Sequence, residues 1–347
     1  MKKKTFILLA VVSAMLLMMS VSAFATVYYD EDFSDVSVLA DTTKITYSKN
    51  SAPPAGQESI VEIVTDDIDV TGDTVPDGTA GTIHMKNSVA SGGTGTSLKF
   101  LFPTAYKDDN AESVFMYDMM LPNTSSYNTS QVAAVTYFGG VRHNAYFNAG
   151  SFYSPGGTVQ TGHTPGVWYT YLYALNKDKT TISIYRKLQS ADDSQFALLG
   201  SSNAATHGAD PGFEWSVAGG KNVDVFFDNM KLYSGENILS QEFTVGGTEI
   251  AEISEVAEGE FKASVSLLSN KGKTGLNKLF VAYDKHGKLL GCTIAQEGAT
   301  AIHLGHNEIA AVMNLNAENA AAIADGGYVG LYVWDGMIPA MSPFELQ

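Results

Sequence analysis

The chain reads as all-β, with two sandwiches in tandem and the second smaller. Three observations predict this. Short β-favouring runs recur between turn signals as far as Tyr233, and helical periodicity is poor over the same stretch. After Ser234-Gly235-Glu236-Asn237 the composition shifts toward Ala and Glu, with fewer aromatics. Strands at such close spacing each bury one face and need a second sheet to cover it, which is the logic of a sandwich.

The first 25 residues are expected to be a leader rather than fold. Lys2, Lys3 and Lys4 precede an apolar run from Phe6 to Met19, and Ala23-Phe24-Ala25 gives the small-x-small pattern of a cleavage site. That run is short for a membrane span, which needs about 20 residues. The expected mature chain starts near Thr26 and is secreted or cell-surface associated, with no membrane insertion. Losing three lysines takes the formal charge from −16 to −19. Such a balance excludes nucleic acid as a partner, because phosphates demand a basic face, and disfavours docking to anionic lipid. Cys292 is the one cysteine, so no intramolecular disulfide forms. Its apolar setting, Leu290-Gly291-Cys292-Thr293-Ile294, predicts a buried small hydrophobe.

About 320 residues remain after the leader, which favours two domains. The expected boundaries are 26–235, a linker at 236–240, and 241–347. In the first domain the strands are read at 97–102, 113–119, 132–138, 167–173 and 181–186. Asn176-Lys177-Asp178-Lys179 supplies the turn between the last two. Tyr29-Asp30-Glu31-Asp32-Phe33 opens this domain and Val225-Phe226-Phe227-Asp228-Asn229-Met230 closes it. The second domain offers strands at 261–268, 278–284, 289–294 and 328–335, with a hairpin turn through Gly287 and a short alanine-rich helix within 316–324.

The first domain resembles the concanavalin A-like (laminin-G-like) jelly rolls of secreted bacterial proteins. The resemblance lies in Glu31-Asp32-Phe33, the central Gly166-Val167-Trp168-Tyr169-Thr170-Tyr171, and Val225 to Leu232. The tail resembles a small immunoglobulin-like sandwich found at the C-terminus of clostridial extracellular proteins. There the match is Val281-Ala282-Tyr283-Asp284-Lys285-His286-Gly287-Lys288-Leu289 together with Tyr332-Val333-Trp334-Asp335-Gly336-Met337-Ile338-Pro339. The first resemblance implies a fold that hosts lectins, hydrolases, lyases and spacers alike. The second implies an accessory module with no chemistry assigned to it.

Four candidate sites follow. Paired first and last strands would bring Glu31 or Asp32 beside Asp228, and the jelly-roll resemblance implies a structural Ca²⁺ there, held by carboxylates and carbonyls; the bland alternative is an Asx turn at Asp228-Asn229. Asp66-Asp67-Ile68-Asp69-Val70-Thr71-Gly72-Asp73 opens like a calcium loop, but Gly78 stands where the bidentate Glu belongs, so a solvated loop is expected. A carbohydrate platform is expected around Arg142, His143, Asn144, Tyr146, Asn148 and Tyr153. The rings Tyr137, Phe152, Trp168, Tyr169, Tyr171 and Trp215 are candidate members or core. Sugars stack their C–H faces on such rings while amides and cations read the hydroxyls. Catalysis is the fourth. The Glu-x-Asp-x-x-Glu pattern of glycosidases of this fold does not occur. Tyr146 to Tyr153 resembles a polysaccharide-lyase motif, with Asn148 in place of its lysine, and Ile83-His84 weakly resembles another; the lyases' arginine-bearing strand has no counterpart. The expectation is a non-catalytic module that binds polysaccharide or a cell-surface glycan. The alternatives are a polysaccharide lyase using Tyr146 and His143, or a structural envelope protein.

Overall fold

In the computed structural model the described residues are 26–67, 78–89, 95–107, 111–122, 131–138, 141–148, 151–153, 159–160, 164–177, 180–203, 205–206, 212–217, 223–235, 237–294, 300–335, 338–341 and 343–346. For the strands between 131 and 160 and for 205–206, only backbone positions are described. The expected leader and most of the 66–73 acidic loop lie outside these residues. The chain divides into two compact units, 26–234 and 235–347.

The first unit runs β1 (Thr26–Glu31), β2 (Ile45–Ser48), β3 (Ser59–Ile63), β4 (Ile83–Asn87), β5 (Thr96–Leu101), β6 (Ser113–Met120), β7 (Gln131–Phe138) and β8 (Val141–Asn148). It continues β9 (Ser151–Tyr153), β10 (Val159–Gln160), β11 (Tyr169–Leu175), β12 (Thr181–Leu188), β13 (Ala197–Asn203), β14 (Ala205–Thr206), β15 (Gly212–Val217) and β16 (Val223–Ser234). These form two antiparallel sheets in a jelly-roll sandwich. The first has the order β13-β12-β11-β6-β16-β4-β3 with β1 on β16; the second has β10-β9-β8-β7-β15-β5-β2 with β14 on β8.

The sandwich closes because alternate residues of facing strands are aromatic. Phe115, Tyr117 and Met119 of β6 are buried against Phe213 and Trp215 of β15. Ring centres are 4.6 Å apart for Phe115–Phe213 and 4.9 Å for Tyr117–Phe213. Tyr169, Tyr171 and Trp215, candidate platform rings in the sequence, are therefore core: Tyr171 and Trp215 are wholly inaccessible. Their strands alternate, and the phase that carries these rings faces the other sheet.

The opening and closing strands do pair, antiparallel, from Thr26 opposite Ser234 to Glu31 opposite Met230. On its other side β16 pairs β6, and there the register slips between Asp228 and Lys231. The extra residue is Asn229, with φ of +48°. Asn tolerates that left-handed backbone better than most residues, and the bulge returns Met230 to the core.

The second unit runs β17 (Asn237–Val245), β18 (Thr248–Ile250), β19 (Gly259–Ser269), β20 (Lys273–Tyr283), β21 (Leu289–Ile294), β22 (Thr300–Ile302), β23 (Gly305–Leu315), β24 (Tyr328–Asp335), β25 (Ile338–Pro339) and β26 (Phe344–Leu346). One sheet is β18-β17-β19-β23; the other is β21-β20-β24-β25, with β22 on β20 and β26 on β24. Phe243, Phe261, Phe280 and Phe344 sit between them. The helix spans Ala317–Ala324, capped by Asn316, whose side chain accepts from Asn319 N. At the β20–β21 turn, Asp284 Oδ1 accepts from the backbone N of His286 and Lys288, and Gly287 takes φ of +77°.

Two expectations are corrected here. Residues 237–240, read as linker, already belong to β17 and pair with β19, since Ile238 packs against the core. Cys292 is exposed rather than buried. It is the cross-strand partner of Val281, whereas the neighbouring Phe280 and Ala282 point into the core. A one-residue step in a strand reverses the face.

Candidate functional site: the second sheet of the jelly roll and the acidic bulge behind it

On β15, Phe213 and Trp215 are fully buried while Glu214 and Ser216 are partly exposed. That fixes which alternation phase of the second sheet looks away from the core. Following the register across the strands gives three rows in the outward phase. One runs Tyr153, Tyr146, Ala133, Ser216, Ser97, Ser48. The next runs Asn144, Val135, Glu214, Lys99, Thr46, and the third Arg142, Tyr137, Gly212, Leu101. Asn148 is two residues beyond Tyr146 on β8, in the same phase.

Five of the six residues read from the sequence thus share one phase: Arg142, Asn144, Tyr146, Asn148 and Tyr153. His143 does not. It pairs with Thr136, which pairs with the buried Phe213, so its position belongs to the core phase. The pairing of Tyr146 with His143 in one catalytic site is therefore split by the register. Sequence adjacency suggested the pair; in a strand, adjacency puts residues on opposite faces.

His84 does not complete such a site either. It lies on β4 of the first sheet, stacked on Phe226 at 4.4 Å, with Nε2 2.7 Å from Asp224 Oδ1 and Nδ1 3.6 Å from Glu62. Across the outward rows of the second sheet, the described positions hold one carboxylate, Glu214, beside two cations, Lys99 and Arg142. Hydrolysis by two carboxylates needs them about 5–9.5 Å apart; these rows supply no second one.

The residues expected at the metal clasp differ among themselves in burial and partners. Glu31 ends β1, and burial pushes its carboxyl up. Asp32 is nearly fully exposed and is held below its usual range by accepting from Ser34 N and Oγ, at 3.1 and 2.8 Å. Asp228 is the unusual group. Burial first, then the nearby charges of Asp118 and Asp32, push its carboxyl up to about 7, against a bond from Asn229 N at 2.7 Å. Asp118, its cross-strand partner, is 5% exposed. Its Oδ1 accepts from Thr170 Oγ1 at 2.6 Å, and its Oδ2 from Gln189 Nε2 at 2.8 Å and Asn229 Nδ2 at 2.9 Å.

Asp118 already engages both oxygens with three donors, and Asp32 is engaged with Ser34. Among the described residues no group of three or more His, Cys, Asp or Glu side chains gathers as a metal site. Sequence reading found Asp228 and missed Asp118. The available signal was a lone carboxylate inside the apolar run Met116-Tyr117-Asp118-Met119-Met120. In the 66–73 loop, Asp67 Oδ1 accepts from Thr79 N at 2.8 Å, a loop-bracing role.

No protein-family model matches the chain, and no curated protein matches it. Solved structures similar to it include a carbohydrate esterase of the Shiga toxin-encoding bacteriophage phi24B, with 8% identity and a TM-score of 0.40, covering 60% of this chain and 99% of that one. A β-glucanase catalytic domain from Podospora anserina has 12% identity and a TM-score of 0.40, covering 60% and 96%. Peanut lectin has 8% identity and a TM-score of 0.35, covering 61% and 98%. TM-scores this low, at such identities, do not say what this chain binds. Among the described residues no helix is long and apolar enough to cross a membrane.

Proposed function

We propose that the first unit is a non-catalytic carbohydrate-binding module whose ligand lies on the outward face of its second sheet. The observation that carries this reading is the register: it gathers Arg142, Asn144, Tyr146, Asn148 and Tyr153 in one phase with Tyr137, Lys99 and Glu214. That mixture of phenol rings, amides and charges is suited to a glycan, since rings stack on sugar C–H faces while polar groups read hydroxyls. In the same row as Tyr146 and Tyr153, Ala133, Ser216, Ser97 and Ser48 are small residues. Lys99 and Arg142 outnumber Glu214, which favours polysaccharides carrying carboxylates or other anions over strictly neutral ones.

Export to the cell surface or beyond remains part of this proposal, on the strength of the leader. The second unit is proposed as an accessory sandwich of immunoglobulin-like kind. A glycan array spanning neutral and uronate-containing polymers tests the binding. The expected result is retention of at least one uronate-rich glycan, with a loss of about tenfold in affinity for Tyr146→Ala and for Arg142→Ala. Silence on a broad array would sink the reading. Incubation with uronate polysaccharides, followed at the absorbance of unsaturated products, separates binding from lyase action; product formation would establish an enzyme instead.

A further inference from the structure

The second unit carries its own ordered set of rings. In β24, Val329, Leu331 and Val333 are fully buried, so Tyr328, Gly330, Tyr332 and Trp334 stand on the other face. Tyr283 of β20 is the cross-strand partner of Tyr328, with ring centres 6.1 Å apart. Tyr332 and Trp334 meet edge to face at 6.4 Å. All four rings are partly exposed.

Glu345 of β26 stands opposite Gly330. Its Oε1 lies 2.6 Å from the Tyr328 hydroxyl and 3.1 Å from the Tyr332 hydroxyl, and the two hydroxyls are also within reach of each other; with one proton each they fill two of these three hydrogen bonds at a time. Gly330 is what lets the rings converge. A Cβ there would lie 2.7 Å from the Tyr328 hydroxyl and 2.8 Å from Tyr332 Cε2. The two phenols therefore lean over bare backbone from both sides, pinned by one carboxylate. Burial raises both hydroxyls, Tyr332 to about 12, so they stay protonated donors.

We propose that Tyr283, Tyr328, Tyr332 and Trp334, oriented by Glu345, form a binding site for a neutral polysaccharide on the second unit. Amphipathic rings fixed in place lose little conformational freedom on binding, which favours stacking on sugar faces. From Tyr328 to Trp334 the strand covers about 20 Å at ~3.3 Å per residue, room for several hexoses in line. Charge selects the class. Glu345 is the acidic side chain among the rings, so this face disfavours uronates and sulfated glycans. The proposal does not depend on the first unit's site.

Affinity electrophoresis of the full chain through gels containing hydroxyethyl cellulose, galactomannan or pullulan tests it, with polygalacturonate as the anionic control in an Arg142→Ala background that weakens the first unit's site. Retardation by at least one neutral polymer is expected, weakened about tenfold by Trp334→Ala. Glu345→Gln, at an exposed position, is expected to weaken it several-fold while leaving the unfolding midpoint unchanged. Tyr146→Ala in the first unit should leave this retardation intact. The proposal is overturned if no neutral polymer retards the chain, or if folded Trp334→Ala and Glu345→Gln migrate as the parent does. Loss of retardation with Tyr146→Ala alone would also overturn it, assigning the sugar to the first unit. Self-association lost in Trp334→Ala, without any polysaccharide effect, would mark the face as a protein contact and refute it equally.

Discussion

Replacing Asp228 by Asn should stabilise the first unit at alkaline pH and do little at acid pH. Asp228 is pushed up to about 7 by burial and by Asp118 and Asp32, whereas an unfolded Asp titrates near ~3.9. Between those values the folded state binds the extra proton, so stability falls as pH rises through the window. About 3 units at 1.36 kcal/mol each sets a ceiling of ~4 kcal/mol. Asp228 is only partly buried, so solvent screening roughly halves that, to about 2 kcal/mol. An Asn amide keeps the acceptor for Asn229 N and gives up the one for Asn229 Nδ2 at 3.1 Å, a donor that also bonds Asp118 Oδ2. Glu31 is shifted in the same direction. The exposed, lowered carboxylates Asp32, Asp35 and Asp41 act the opposite way, but only as pH falls below the ordinary Asp range.

The assay is urea unfolding followed by tryptophan fluorescence in a Trp334→Phe background, so that Trp168 and Trp215 of the first unit report alone. The Asp228→Asn variant should gain about 2 kcal/mol over the parent near pH 8 and almost nothing near pH ~3, below both the folded and the unfolded pKa. Equal effects at both pH values would refute the proton argument. So would a parent midpoint at pH 8 that calcium raises and chelator lowers, with both responses lost in Asp228→Asn, since a ligand bound only by the native state must stabilise it.

Other outcomes are expected from the geometry. Gly212→Ala places a Cβ 2.5 Å from the Phe100 carbonyl oxygen, in a strand paired on both sides, and should cost about 1–3 kcal/mol in denaturant unfolding. Trp215→Ala empties a wholly buried site and should cost about 3–5 kcal/mol by the same measurement. Cys292 should react with a maleimide in the native protein, one label per chain, and Cys292→Ser should change stability by no more than about 0.5 kcal/mol; protection of the thiol until unfolding would restore the buried reading.

The all-β character and most strands were legible because period-2 alternation and turn chemistry are local. Leu289–Ile294 and Tyr328–Asp335 end where the apolar runs end, and the Gly287 turn has the residue its backbone requires. The pairing of the first and last strands was legible too, from the acidic-aromatic bookends. What local pattern does not hold is phase. Whether a residue such as Tyr171 or Cys292 faces core or solvent depends on which alternate positions the facing sheet covers: neighbouring residue types left Tyr171 open between platform and core, and misplaced Cys292.

By itself, then, the sequence determined two β-sandwiches, a strongly acidic chain without an intramolecular disulfide, and a stretch from Arg142 to Tyr153 in which rings and polar groups mix. Only tertiary structure decided that His143 parts company with Arg142 and Tyr146. It likewise made Asp118, about 110 residues from Asp228, that residue's cross-strand partner, and brought Glu345 to the rings of β24. The physical reason is common to all three. Register and sheet order set cross-strand neighbours through hydrogen bonding between distant segments, and no spacing along the chain encodes them.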